Sequence, residues 1–353
     1  MREFVTRRKR PLGVLTVLAV AAGAMVALSV SGAQAKSNAG ELKGAGSTFV
    51  APLVGVWQQK YEAAKGVKVS YNPIGSGGGI AAIANKTVDF GASDAPMTPD
   101  QFNACGGCVQ IPWALSATSI MYNLPGVKNN LHLTGPIIAD IYLGKITNWN
   151  NARIKAINPG VSLPDKEITP VYRSDGSGTT FNFGSYLNAV SRQWKSQVGT
   201  GTTLNWPTGV GARGSSGVSG LVSRTEGAIG YVDIAYALKN HLKFAAVQNR
   251  SKRWTRPGLA GIKAASLADR KFSPTNALSI VNPPPGKKFR KAYPICTYTY
   301  VIVRLQSSQA SVLKPFVSWA LTAGQADGPR LIFQPIPKYV RVKGLATMKK
   351  VHS

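Results

Sequence analysis

From Leu42 onward the chain alternates between short apolar runs and longer stretches in which apolar residues recur every three or four positions. Leu42–Ala45 is a strand-length run, and across Val50–Ala64 the residues Leu53, Val54, Trp57 and Tyr61 fall on one side of a helix. Val67–Tyr71 predicts a second strand, Ile80–Asn85 the start of a second helix, and Val88–Ala92 a buried third strand ending at Ser93-Asp94. The Pro/Gly-rich stretch Ala95–Cys108 is expected to be loop, followed by a strand at Val109–Ala114 and the apolar run Thr118–Asn123. This β-α-β-α-β order implies a mostly parallel sheet covered by helices.

The second half repeats the same logic. Thr134–Leu143 and Ala152–Ile157 carry helical spacing around a turn at Lys145–Asn150, and Asn158–Lys166 is a Pro/Gly surface loop. Ile168–Arg173 predicts a strand and Thr180–Val190 a helix with Phe181, Phe183, Tyr186 and Leu187. Thr200–Ser219 is a long Gly/Ser/Thr segment around Trp206-Pro207, and a loop that long in a compact domain is usually functional or mobile. A helix beginning at Val218–Arg224, a strand at Ala228–Val232 and a helix at Ile234–Lys239 follow. Near the end, Tyr298–Arg304 predicts a strand and Ser311–Ala323 a helix.

Three of the strand-to-helix junctions are rich in glycine and hydroxyl residues: Gly44-Ala45-Gly46-Ser47-Thr48, Gly75-Ser76-Gly77-Gly78-Gly79 and Asp175-Gly176-Ser177-Gly178-Thr179. A helix start offers unpaired backbone N–H groups and a positive dipole end, so it favours an anion. Ser and Thr add short donors, and glycine allows close backbone approach. Three such junctions converging on one ligand would make a dehydrated oxyanion site. None of the loops ends in the Lys that a nucleotide-binding P-loop needs, the second misses the last Gly of a dinucleotide fingerprint, and no G-x-S-x-G nucleophile elbow occurs.

Composition sets the context. The chain has 353 residues, 44% hydrophobic and 16% charged, enough for two lobes with separate cores. A basic start (Arg2, Arg7–Arg10), an apolar or small-residue run Leu12–Val30 and Ala33-Gln34-Ala35 predict a cleaved export signal at residues 1–35, with the mature chain starting near Lys36. No Cys follows that run, which argues against a lipid anchor. The formal charge is +28; residues 1–35 carry five Lys/Arg and one Glu, so 37 basic and 13 acidic residues remain, a net +24. Such a field attracts polyanions, with anionic cell-wall polymers as candidate partners, but no nucleic-acid-binding motif accompanies it. Cys105-Gly106-Gly107-Cys108 is a candidate disulfide in a Gly-rich loop, and Cys296 is expected to be a buried free thiol. His132, His241 and His352 are too widely spaced to suggest a metal site, and no cofactor is expected.

With acids scarce, Asp94 and Asp175 beside these loops are informative. A carboxylate next to an anion makes sense when the anion carries a proton, as hydrogen phosphate does and sulfate at neutral pH does not. Arg173 supplies a forked donor, and Asp175 could hold that fork in place. The alternative for both acids is plain helix capping.

The same strings resemble a known family. Gly44–Phe49, Ile74–Gly79, Asp89-Phe90-Gly91-Ala92-Ser93-Asp94-Ala95-Pro96 and Arg173–Thr179 look like the PstS family, the extracytoplasmic phosphate-binding proteins of the high-affinity phosphate ABC importer. Asp140–Ile146, Val198–Gly201, Gly227–Val232 and Tyr293-Pro294-Ile295 extend the likeness over nearly the whole mature chain. The resemblance implies an α/β, two-lobed periplasmic-binding-protein (Venus-flytrap, type II) fold with a mixed sheet in each lobe. Residues 36–123 plus 295–353 would form lobe I and residues 124–294 lobe II, with crossovers near Tyr122 and Thr297. It further implies that Ser47, Thr48 and Phe49 bind phosphate through main-chain N–H and the Thr hydroxyl, and that Ser76 donates its hydroxyl. Asp94 would accept the ligand's proton, Arg173, steadied by Asp175, would give a guanidinium bond, and Ser177, Gly178 and Thr179 would form a helix-terminus cradle. Gly77 stands where many relatives carry a second Ser. The partners implied are inorganic phosphate and the membrane permease of the importer, and the protein is expected to be a monomer and no enzyme. An exported phosphatase or phosphoester hydrolase built on the same cradle is the alternative reading.

Overall fold

The computed structural model describes residues 40–129 and 131–353, so the export segment expected at residues 1–35 lies outside them. The first elements are β1 (Glu41–Gly46), α1 (Ala51–Lys65), β2 (Lys68–Asn72), α2 (Ser76–Ala84) and β3 (Phe90–Ser93). Helix α1 buries the four residues its periodicity singles out, Leu53, Val54, Trp57 and Tyr61, and stops at a left-handed Gly66. Helix α2 begins at Ser76, inside the glycine loop and four residues before the apolar signal starts, because Ser-Gly-Gly-Gly has no hydrophobic period to read.

Within the stretch expected to be loop lies α3 (Pro99–Cys105). Its start is a capping box: the Gln101 N–H donates to Thr98 Oγ1, and the Thr98 N–H donates to Gln101 Oε1. The runs Val109–Ala114 and Thr118–Asn123 are one strand, β4 (Cys108–Tyr122), buried along nearly its whole length. Pro112 survives inside it because the ladder with the last strand shifts register there. The middle of the chain supplies β5 (His132–Leu133), α4 (Gly135–Tyr142), α5 (Ala152–Ala156), β6 (Thr169–Arg173), α6 (Gly178–Val190) and α7 (Arg192–Gln197). The long Gly/Ser/Thr segment is not all loop: it contains β7 (Val210–Ala212) and the start of α8 (Gly214–Arg224). Then come β8 (Ala228–Asp233), α9 (Ile234–Lys239), β9 (Lys243–Phe244), β10 (Ala246–Gln248), β11 (Trp254–Thr255) and α10 (Leu259–Ala265). The chain ends with β12 (Cys296–Arg304), α11 (Ala310–Ala320) and α12 (Lys338–Met348).

The main sheet is mixed, in the order β2-β1-β3-β12-β4-β8-β6-β7, with β9 also beside β4. β1 runs parallel to β2 and β3, and β6 parallel to β7 and β8; β12 and β4 run antiparallel to their neighbours. Residues Cys108–Ala117 of β4 pair with β12, whereas Thr118–Tyr122 pair with β8. One strand therefore serves two parallel α/β halves. β5, β10 and β11 form a separate three-stranded sheet.

Each half has its own aromatic packing. Trp57 and Trp113 meet edge-on at 5.1 Å with Phe90 and Phe316 nearby, while Phe183 stacks on Tyr231 at 4.2 Å beside Tyr142 and Trp206. Cys105 and Cys108 are joined as a disulfide, and Cys296 is a buried free thiol whose burial pushes it above the usual thiol range. Among the described residues no helix is long and apolar enough to cross a membrane.

β1 and β3 pack so closely at their C-terminal ends that only glycine fits at position 46. Its φ is +143°, and a Cβ there would lie 2.1 Å from the Ala92 carbonyl oxygen. Gly46→Ala is therefore expected to destabilise the protein by about 2 kcal/mol or more, read as a lowered urea midpoint. An unchanged midpoint would show that the junction relaxes freely.

Candidate functional site

The three glycine/hydroxyl junctions lie at the C-terminal ends of the parallel strands β1, β2 and β6, and the structure brings them together. Helix α6 supplies the first part. Its N-cap Ser177 accepts the Thr180 N–H at 3.1 Å, which leaves the Gly178 and Thr179 N–H groups as the first-turn donors without intrahelical partners. A Cβ on Gly178 would come within 2.6 Å of both Ser76 Oγ and the Asp94 nitrogen, so the α6 start abuts Ser76 and Asp94 directly. Gly77 N–H donates to the Gly176 carbonyl at 2.9 Å, joining the second and third junctions backbone to backbone. Thr179 Oγ1 is buried with no hydrogen-bond partner among the described residues.

Asp94 follows β3 and is 1% exposed. Its Oδ1 accepts from Ser47 Oγ at 2.6 Å and Thr299 Oγ1 at 2.7 Å; Oδ2 lies 2.7 Å from the same Ser47 hydroxyl and 3.5 Å from Ser76 Oγ. Since Ser47 has one proton to give, Oδ2 keeps acceptor capacity. Ser76 Oγ in turn accepts the Asp94 N–H at 3.2 Å. Burial raises the Asp94 carboxyl to about 6, with the hydrogen bonds from Ser47, Thr299 and Ser76 and the charge of Arg173 pulling the other way. At neutral pH it is an ionised acceptor.

Arg173 ends β6 and is 4% exposed. Its Nε and Nη2 donate to Asp175 Oδ1 and Oδ2 at 2.7 and 2.5 Å, a two-pronged pair. Partial burial works to raise the Asp175 carboxyl, but the Arg173 hydrogen bonds and charge and the Gly214 N–H outweigh it and hold it below the usual carboxylate range. The remaining Arg173 Nη1 reaches across to Thr48 Oγ1 at 3.0 Å. Ser47 is fully buried beneath α1, where its Oγ also accepts the Phe49 N–H at 3.0 Å. Phe49 itself packs edge-on to Phe333 in the core, and the N–H expected to bind the ligand is the one donated to Ser47 Oγ, so the structure directs neither its side chain nor a free N–H at the cluster.

Thus Ser47, Thr48, Ser76, Asp94, Arg173, Asp175 and the Ser177–Thr179 start form one connected cluster, whereas the Cys105–Cys108 disulfide takes no part in it. Several members are not obvious from the sequence. Thr299 on β12 braces Asp94, and its signal is the Thr-Tyr-Thr-Tyr alternation, which puts Thr297 and Thr299 on one face of the sheet, where both hydroxyls reach Asp94. Gly214-Ser215 at the start of α8 is a fourth glycine/hydroxyl junction: Ser215 N–H donates to Thr48 Oγ1 at 3.2 Å, the two hydroxyls share a 2.8 Å bond, and Gly214 N–H holds Asp175 at 3.0 Å. Three tyrosines complete the support. Tyr71 and Tyr236 donate to the Ser47 and Thr48 carbonyls, both at 2.8 Å, and Tyr231 accepts the Arg173 N–H at 3.1 Å.

Comparison with known proteins places the chain in a family. A model of the PBP superfamily domain matches residues 31–323. The phosphate-binding protein PstS of Xylella fastidiosa (strain 9a5c) is 42% identical over 302 residues, 84% of this chain and 82% of that one. The phosphate-binding protein PstS of Pasteurella multocida is 36% identical over 317 residues, covering 89% and 91%. Among solved structures, a high-affinity periplasmic phosphate-binding protein bound with phosphate superposes with a TM-score of 0.71 at 21% identity, covering 87% of this chain and 93% of that one. A phosphate-binding protein from Stenotrophomonas maltophilia gives 0.66 at 20% identity, with the same coverage. The fold is that of the periplasmic binding proteins, and the chain belongs to the PstS family within the PBP superfamily.

Proposed function

We propose that the protein is the extracytoplasmic receptor of a phosphate importer: it captures inorganic phosphate at the cluster around Asp94 and Arg173 and passes it to a membrane permease. The observation that carries this reading is the meeting of donors from four helix starts with one ionised carboxylate that keeps a free acceptor face. Phosphate oxygens would take the Thr48, Ser76 and Thr179 hydroxyls, the Gly178 and Thr179 N–H groups and Arg173 Nη1. The P–OH group would donate to Asp94 Oδ2. A micromolar complex needs roughly 8 kcal/mol, and charge-assisted hydrogen bonds at about 1.5–3 kcal/mol each supply it with a handful of contacts.

Contacts from both halves fit a cleft that closes on its ligand. Thr48 lies before α1 while Arg173 and Ser215 belong to the β6–β8 half, and the change of β4 partner between Ala117 and Thr118 supports a lobe boundary close to the 123/124 expected. The curated relatives are binding proteins, which favours capture over hydrolysis. His132 is stacked on Trp254 at 4.3 Å in the separate sheet, a setting that suits no general base in the cleft.

Calorimetry should give tight binding of phosphate, weak binding of sulfate and no turnover of a chromogenic phosphoester; comparable sulfate affinity or turnover would overturn the reading. Asp94→Asn is expected to lower the phosphate-to-sulfate ratio, because an amide N–H tolerates an unprotonated oxygen that a carboxylate repels. Arg173→Ala should weaken phosphate by roughly 10- to 150-fold, the worth of one charge-assisted bond. A third measurement concerns pH. The folded-state carboxyl of Asp94 lies near 6, above its ordinary 3.8, so in that window the folded protein binds more protons than the unfolded chain. Stability of the ligand-free protein should therefore fall as pH rises from about 4 to 6, by on the order of 3 kcal/mol from this group. The urea midpoints of Asp94→Asn should lack that slope.

A further inference from the structure

Away from the cleft, two basic runs far apart in sequence are bound into one surface. Asn249, 6% exposed, is the staple. Its Oδ1 accepts the Ser251 and Arg253 N–H groups at 3.0 and 3.1 Å, while its Nδ2 donates to the Arg290 and Ala292 carbonyls at 3.1 and 2.9 Å. Gly286 N–H adds a bond to Ser251 Oγ at 3.2 Å. The segment around β11 is thereby held against the segment around a short 3-10 turn, Lys287–Phe289.

Between them runs a groove of about 520 Å³ walled by Arg253, Lys263, Lys287, Lys288, Arg290 and Lys291. It shares Arg253, Arg290 and Lys291 with a second hollow of about 530 Å³ that adds Arg256. No acid lines either hollow, and among the described residues none of these seven cations is in an ion pair. Folding here forces like charges together around a buried amide, an arrangement that self-repulsion disfavours unless an anion neutralises it.

We propose that this groove binds a linear, base-free polyanion whose repeating charge is a phosphodiester, of the polyol-phosphate type. The groove's polar side chains are all donors, set around Ala260, Ala264 and Leu267, which matches a polymer whose charged groups are acceptors only and whose linkers are aliphatic. A nucleic acid fits less well, because no aromatic side chain lines the groove to stack a base, and Trp254 at the neighbouring hollow already stacks one face on His132. An acidic protein partner would want a large exposed apolar anchor; among the described residues those are Val210, Leu238 and Val342, and none lines either hollow, whose leucines Leu259 and Leu267 are only partly exposed. A flat bilayer matches a concave site poorly. The inference is independent of phosphate capture in the cleft.

The test is binding of a synthetic glycerol-phosphate oligomer, with oligo(dT), poly-glutamate and anionic vesicles as comparison probes. Log affinity against log salt should have a slope of about −4 for six neutralised phosphates on a flexible chain. K287E/K288E/K291E should lose about tenfold or more in affinity and flatten that slope, with calorimetric phosphate binding unchanged. K338E/K349E/K350E, which makes the same change in net charge on exposed residues of the C-terminal region, should bind nearly as the parent does. Equal loss in both triple variants, or stronger binding to oligo(dT), poly-glutamate or vesicles than to the oligomer at equal charge, would overturn the proposal.

Discussion

The cluster around Asp94 depends on one buried charge. Taking a guanidinium almost completely out of water costs on the order of several kcal/mol unless its hydrogens are met in good geometry. Arg173 meets that demand locally: Asp175, two residues further on, returns both carboxylate oxygens to the fork, and Gly214 N–H fixes the carboxylate from behind. Because β6 and its own following loop provide both members, the pair is oriented before the other half of the molecule contributes anything. What remains points outward from that fork: Nη1 is directed at Thr48 Oγ1 at 3.0 Å and lies 3.5 Å from Ser215 Oγ, so the cation's free side faces the hydroxyl pair.

Glycine then allows the halves to approach. Gly75, with φ +91°, would carry a Cβ only 2.4 Å from Asp175 Oδ2, and Gly178 meets Ser76 and Asp94 at comparable range. Any side chain at these places would hold the donors apart and admit water, weakening every electrostatic contact within. Tyr231 links this surface to the interior: its ring stacks on Phe183 while its hydroxyl accepts from Arg173 and bonds to Thr180 at 2.7 Å. Packing in the second half is thus transmitted to the position of the guanidinium.

Much of this was legible in the chain. Strands β1, β3, β6 and β8 and helices α1, α6 and α9 follow from the hydrophobic pattern within a few residues, the helices from a periodic apolar side and the strands from short apolar runs, β3 and β8 being buried at every position. The starts of α2 and α8 were not, because Ser and Gly carry no period, and α3 hid in a Pro/Gly stretch although Thr98 and Gln101 spelled its cap. At the site, residues on loops with a chemical signature stood out. Thr299, Tyr71 and Tyr236 did not, because what makes them matter is the strand or helix opposite, and sequence alone does not state who the neighbour is.

The sulfur of Cys296 sits at a telling place. It is the one unpaired sulfhydryl of the chain, and its residue lies opposite Ala117, where β4 leaves one partner strand for the other. A native thiol is therefore installed where the central strand changes partner, buried in the folded protein. The speed of its alkylation would time how often this part of the sheet opens, with no labelling site to engineer.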